Sequence, residues 1–178
     1  MITIESNVDK VIAQIRARQK SYDKKAKRLL ERLHEEGVSL ASAKLMTAIY
    51  DGDHSTTVLS EPEWLDDKTL ALTVQGDAIT FIEFGTGTFF GDMHEKANEF
   101  GFTRGGYGKG RGLNPPWVFD AQGRGISMTT SVGKVVISKK GEPKYLTYGN
   151  PPNRVLYNTA KELRAKILEI AREVYAND

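Results

Sequence analysis

The chain predicts an α+β fold, and three observations carry that prediction. A segment at each end sets its apolar residues at helical spacing. Between them lie short stretches in which apolar and polar residues alternate, as on half-buried strands. Glycine fills much of the remainder, with fourteen of the seventeen glycines falling between Gly85 and Gly149. The expected architecture is a long N-terminal helix, a small mostly antiparallel sheet, a long glycine-rich loop or β-ribbon excursion, and a C-terminal amphipathic helix packed on the sheet. At 178 residues this fits one domain. Its parts are an N-terminal helical segment (1–50), a sheet hairpin (55–84), a glycine-rich insertion (85–149) and a final helix (150–176).

The N-terminal helix opens on a weak capping box, Ser6 with Asp9 three residues on. Val8, Ile15, Tyr22 and Leu29 recur every seven residues, accompanied by Ile12, Gln19, Ala26 and Leu33. One narrow apolar stripe surrounded by charge describes a helix that leans on a partner, either the final helix or a neighbouring subunit. Gly37 is a candidate interruption. Val38, Leu40, Ala41, Leu45, Met46 and Ile49 continue beyond it as a second apolar segment.

Asp51-Gly52-Asp53 breaks the pattern. Thr56 to Leu59 reads as a short strand. Thr69 to Gln75 is a clearer one, with Leu70, Leu72 and Val74 alternating against Thr69, Thr73 and Gln75. Gln75-Gly76-Asp77 turns, and Ala78 to Phe84 is expected to return as an antiparallel strand covered on both faces, since Ile79, Phe81, Ile82 and Phe84 are all apolar. Arg104 to Gly112 is too rich in glycine for regular structure. Trp117 to Phe119, Ile126 to Thr130 and Lys134 to Ser138 read as strands of a ribbon. In the final helix Leu156, Ala160, Leu163, Ile167, Ile170 and Val174 step by four and three. Asn150 is its expected N-cap, with Pro151 in the first turn.

Composition narrows the chemistry. With no cysteine there are no disulfides, no thiolate nucleophile and no thiolate metal site. Met1 to Glu5 lacks the regions of a signal peptide, and no apolar run approaches the ~20 residues of a membrane span, so cytosolic synthesis and no membrane contact are expected. No cofactor is implied. Net charge is +2, yet the charges are segregated. Arg16, Arg18, Lys20, Lys24, Lys25, Lys27 and Arg28 face only Asp23, whereas Asp51 to Asp67 holds six acids and no Lys or Arg. Opposite patches suit head-to-tail contact between copies; two solvated surfaces are the plainer reading.

His34, His54 and His94 are scattered, none with a second histidine at i+4, and read as surface residues. Glu83, in its apolar setting, is the one candidate general base, but no nucleophile or second acid accompanies it. Its plainer reading is a carboxylate that points out of the sheet, pairs with a base or accepts hydrogen bonds from the glycine turn. Around Gly108-Lys109-Gly110 the P-loop spacing fails. Arg104, Lys109 and Arg111 with Tyr107 form a single glycine–arginine unit, weak as nucleic-acid recognition. The basic helix could track a phosphate backbone.

Two blocks do carry a resemblance. Ile82-Glu83-Phe84-Gly85-Thr86-Gly87 is similar, residue for residue, to the Glu-Phe-Gly-Thr motif of the tailed-phage tail-completion or head–tail connector (neck) proteins. Pro152 to Ala160, with Leu156, Tyr157 and Ala160 closest, resembles that family's second block, a proline turn entering a helix. Trp117 to Asp120 and Tyr145 to Gly149 look like the insertion of one subgroup. Arg154-Val155 departs from the family's usual Pro-Phe. The resemblance implies a structural, non-enzymatic virion protein made in the host cytoplasm. Such a protein forms a homo-oligomeric ring with other neck and tail proteins around a DNA channel. Arg16, Arg18, Lys24, Lys25 and Lys27 would then face DNA or a partner, as would Arg104, Lys109 and Arg111. The alternative is a nucleic-acid-binding module using the basic helix and the Arg/Gly loop.

Overall fold

The computed structural model describes residues 8–50, 57–58, 61–103, 105–107, 113–114, 117–120, 134–137 and 143–176. Helix α1 runs from Val8 to Met46 without a break. Two ribbons follow: β1 (Thr57–Val58) pairs with β4 (Val74–Gln75), and β2 (Glu63–Asp66) pairs with β3 (Thr69–Ala71). Helix α2 (Ile79–Phe84) comes next. A three-stranded antiparallel sheet in the order β5-β7-β6 is built from Trp117–Asp120, Pro143–Thr147 and Lys134–Ile137, and α3 (Val155–Ala176) ends the fold. The class is α+β, as expected.

Gly37 does not interrupt α1. Its missing side chain lets Leu163 and Leu72 come within 3.2 Å of where a Cβ would stand, so the glycine serves close packing. The antiparallel packing of α1 on α3 runs along this line and is flanked by the Lys44–Glu162 and Lys166–Glu36 ion pairs. The latter holds the Lys166 ammonium above its ordinary pKa. The final helix thus packs against α1 and α2, not chiefly on a sheet.

The expected strand from Ala78 to Phe84 is a helix. Ile82 N–H donates to Ala78 O at 2.9 Å and Gly85 N–H to Phe81 O at 3.0 Å, closing helical turns. Only Ile82 and Glu83 are buried in it, Ile82 in the core and Glu83 against α3 and His94. A six-residue apolar run satisfies helix and strand patterns alike, and tertiary packing decides between them. The single strand expected from Thr69 to Gln75 is likewise two strands, each with a different partner. At the β2–β3 turn, Asp66 Oδ1 accepts the Lys68 N–H at 2.7 Å, and that bond lowers the Asp66 pKa.

The last helix starts at Val155, so Asn150 is not its cap. The hydrophobic core is small: Leu45, Ala78, Ile82 and Val155, with Ala48, Tyr50, Val74 and Ile79 around them. It sits where the end of α1, all of α2 and the start of α3 converge. The strand expected at Ile126 to Thr130, the Ser6 cap and most of Arg104 to Gly112 lie outside the described residues.

Candidate functional site

The two sequence blocks meet. Thr86 and Asn150 form an antiparallel bridge, Thr86 N–H donating to Asn150 O at 2.9 Å and Asn150 N–H to Thr86 O at 3.2 Å. The Thr86 hydroxyl also bonds the Asn150 side-chain oxygen, and Asn150 Nδ2 donates to Phe81 O at 2.9 Å. Two glycines at positive φ make the crossing sterically open. A Cβ on Gly85 would lie 2.6 Å from Pro152 N, and one on Gly149 only 2.1 Å from Thr86 O. Asn153 extends the clasp to the segment that follows α1. Its Oδ1 accepts Ile49 N–H at 2.7 Å, while its Nδ2 donates to Ile49 O at 2.9 Å and Ile82 O at 3.1 Å.

Glu83 stands at the centre, 5 % exposed. Its Oε2 accepts Leu156 N–H at 2.8 Å and its Oε1 accepts Tyr157 N–H at 2.9 Å. These are the second and third residues of α3, whose first-turn N–H groups have no partner within the helix. Glu83 therefore caps α3 from another helix, with its charge on the positive end of the α3 dipole. Arg154, where a capping side chain would stand, is held at φ 55°, and its N–H donates to Glu83 O. Its guanidinium reaches Glu95 and Met93 O, both at 2.9 Å. Hydrogen bonding to Glu95's own backbone N–H, then Arg154, pulls the Glu95 carboxyl below its ordinary range.

His94 is the residue the sequence reading placed wrongly. It is 2 % exposed, not a surface histidine, and its Nε2 lies 3.1 Å from Glu83 Oε1. Its Nδ1 accepts Lys96 N–H at 3.0 Å, so the hydrogen-bond network assigns the proton to Nε2, which donates to Glu83. His34 is also buried, 7 % exposed; its Nε2 is without a hydrogen-bond partner. His54 lies outside the described residues.

Around this pair is an aromatic cluster. Phe84 stacks on Phe102 with centroids 4.5 Å apart and tilts against His94 at 4.5 Å. Phe81 stacks on Tyr107 at 5.6 Å. An open apolar groove of about 370 Å³ runs beside Glu83, between Phe84, Phe100 and Leu156. Both imidazole nitrogens are engaged and each carboxylate oxygen accepts at least one hydrogen bond, so the pair is tied into the scaffold. Among the described residues no group of three or more metal-ligating side chains comes together, and no helix is long and apolar enough to cross a membrane.

The structure thus joins Glu83, Phe84, Gly85, Thr86, Pro152, Leu156 and Tyr157 in one clasp. It leaves Arg16, Arg18, Lys24 and Lys27 well away from it, exposed along α1. Lys27 lies 3.6 Å from Asp67 and over the Trp64 ring. Lys25 sits over the Tyr175 ring. Arg104, Lys109 and Arg111 lie outside the described residues. Sequence reasoning missed Asn150 as a clasp, Asn153 and His94; the signal available for the first two was their place beside a proline turn with no regular structure. Comparison of the chain with protein-family models, curated proteins and solved structures gave no match.

Proposed function

We propose that this chain is a structural virion-assembly protein of a tailed phage or prophage, of the neck or tail-completion type. In this reading it closes a ring at the head-proximal end of the tail and contacts other neck and tail proteins there. The observation that carries the reading is the clasp. The two blocks on which the resemblance rests are joined by Glu83 on the first turn of α3, and the Thr86–Asn150 bridge holds the turn that leads into the second block. A motif whose residues are spent on scaffolding suits a protein that works by shape and contact. The exposed basic side of α1 supports a surface turned toward a partner or a DNA channel, where charge repeated over many subunits sums.

Gold-labelled antibody raised against the chain tests this on particles from a lysate of cells carrying the gene. Label at the head–tail junction supports the reading; its absence from particles, with the protein left in the soluble fraction, overturns it. The rival nucleic-acid-binding module is favoured by one observation, the exposure of Arg16, Arg18, Lys20 and Lys24. Tight, salt-dependent binding of the purified protein to duplex DNA would support that rival instead.

A further inference from the structure

The part of α1 that no other described element covers is the most unusual surface among the described residues. Every residue from position 8 to 24 is exposed, whereas the same helix is well packed from Leu29 onward. The boundary lies at Tyr22, stacked on Tyr175 at 6.4 Å, because α3 ends there, at Ala176. Beyond it about fourteen residues project, or about 20 Å at 1.5 Å per residue. The apolar seam does not stop with the packing. Val11, Ile12 and Ile15 stand 50 %, 40 % and 59 % exposed, in line with the Tyr22 and Leu29 positions that meet the rest of the fold. A helix continued from a packed one has its nucleation cost already met, so the arm is ordered before it finds a partner.

A receptor of matching character lies on the same molecule. An open groove of about 750 Å³ runs between α1 and the β2–β3 turn, floored by Ala26, Leu29 and Leu30 and edged by Asp23, Lys27, Asp67 and Lys68, two acids and two bases. Its size falls within the range of binding clefts, about 300–1,000 Å³. The groove lining is balanced in charge, and the hairpin beside it decides the occupant. The arm from 8 to 22 carries Lys10, Arg16, Arg18 and Lys20 against Asp9, so two arms would repel one another. The hairpin from 61 to 68 carries Glu61, Glu63, Asp66 and Asp67 against Lys68. Asp67 is 93 % exposed, so its long-range pairing with Lys27 leaves it open to a second cation.

We infer that the α1 arm of one copy seats its Val11, Ile12 and Ile15 edge in the groove between α1 and the β2–β3 hairpin of a second copy. The acidic hairpin of the receiving copy faces the basic flank of the arm. The arm cannot fold back onto its own groove, because both lie on the same continuous helix. Neither half of this pairing depends on the assembly role proposed above.

Light scattering of the purified full chain over a concentration series tests it. The expected result is self-association that weakens with salt and is lost, by about tenfold or more in Kd, in Ile12→Glu/Ile15→Glu and separately in Glu61→Lys/Asp67→Lys. All four positions are exposed, so circular dichroism should show both variants folded. Mixed together, the two variants should associate more tightly than either does alone, since one keeps its groove and the other its arm. A wild-type chain that stays monomeric overturns the inference. So does association unaffected by the hairpin variant, which would mean arm against arm. Loss of DNA binding in the arm variant with no change in mass would also overturn it, assigning the arm to nucleic acid. Whether the exchange is reciprocal in a pair or passes around a ring is read from the limiting mass.

Discussion

Glu83 and Tyr157, 74 residues apart in sequence, are joined by a partly buried carboxylate-to-amide hydrogen bond of 2.9 Å. The same carboxylate takes the neighbouring amide of Leu156, so one side chain of α2 sets where α3 begins. A charge buried this deeply is tolerated only because each oxygen is hydrogen-bonded and the helix dipole favours it. Substitution separates this role from catalysis. Glu83→Gln should cost about 2 kcal/mol, because its carboxamide NH₂ would face an amide donor, and Glu83→Ala more. Urea unfolding midpoints measure it; midpoints unchanged from wild type would remove Glu83 from the scaffold.

The clasp also depends on backbone that no side chain can share. Gly149→Ala places a methyl against Thr86 O at positive φ and should destabilise the chain by about 3 kcal/mol or more, or prevent folding. Gly91→Ala, with open space where its Cβ would stand, should leave the thermal midpoint close to wild type. Equal effects at the two positions would mean that the crossing of the two blocks is not tight.

Much of this arrangement was legible in the sequence, and the misses share a cause. The seam of α1 and the 4–3 steps of α3 are long, repeated patterns, and both helices lie where those patterns put them. Ala78 to Phe84 is short, and its apolar residues fit either period; tertiary packing decides for the helix, which seats Ile82 in the core and Glu83 on the first turn of α3. That last contact has a trace in the sequence. Arg154-Val155 starts a helix without Ser, Thr, Asp or Asn at the cap, while a lone acid sits in an apolar run elsewhere. Pairing those two anomalies needs the fold, because the residues between them give no spacing rule. His94 had no such trace, since its partners are a carboxylate and a backbone amide rather than other histidines.

Tyr107 offers a test with the opposite sign. Its hydroxyl is buried without a hydrogen-bond partner, and burial pushes its pKa above the ordinary phenol value. Tyr107→Phe keeps the ring stacked on Phe81 and removes the unsatisfied group, so thermal stability should hold or rise by up to about 1 kcal/mol. A clear loss would place a partner on that hydroxyl.

Acid should loosen the α3 entrance through Glu95. Its folded-state pKa is depressed below the ordinary 4.5, so its contribution is present above that value and lost as pH falls through the folded one. Protonation releases Arg154, which is held at positive φ in part by that ion pair. Glu95→Gln should therefore lower stability at neutral pH and flatten its fall below the carboxylate range. A variant with an unchanged acid limb would assign that limb to other carboxylates.

Electron microscopy of lysates from cells in which the gene has been disrupted tests the assembly role most directly. The account predicts heads and tails that fail to join, or tails left unfinished at the head-proximal end, with infectivity restored by the wild-type chain supplied in trans. Complete, infectious particles formed without the chain would contradict it.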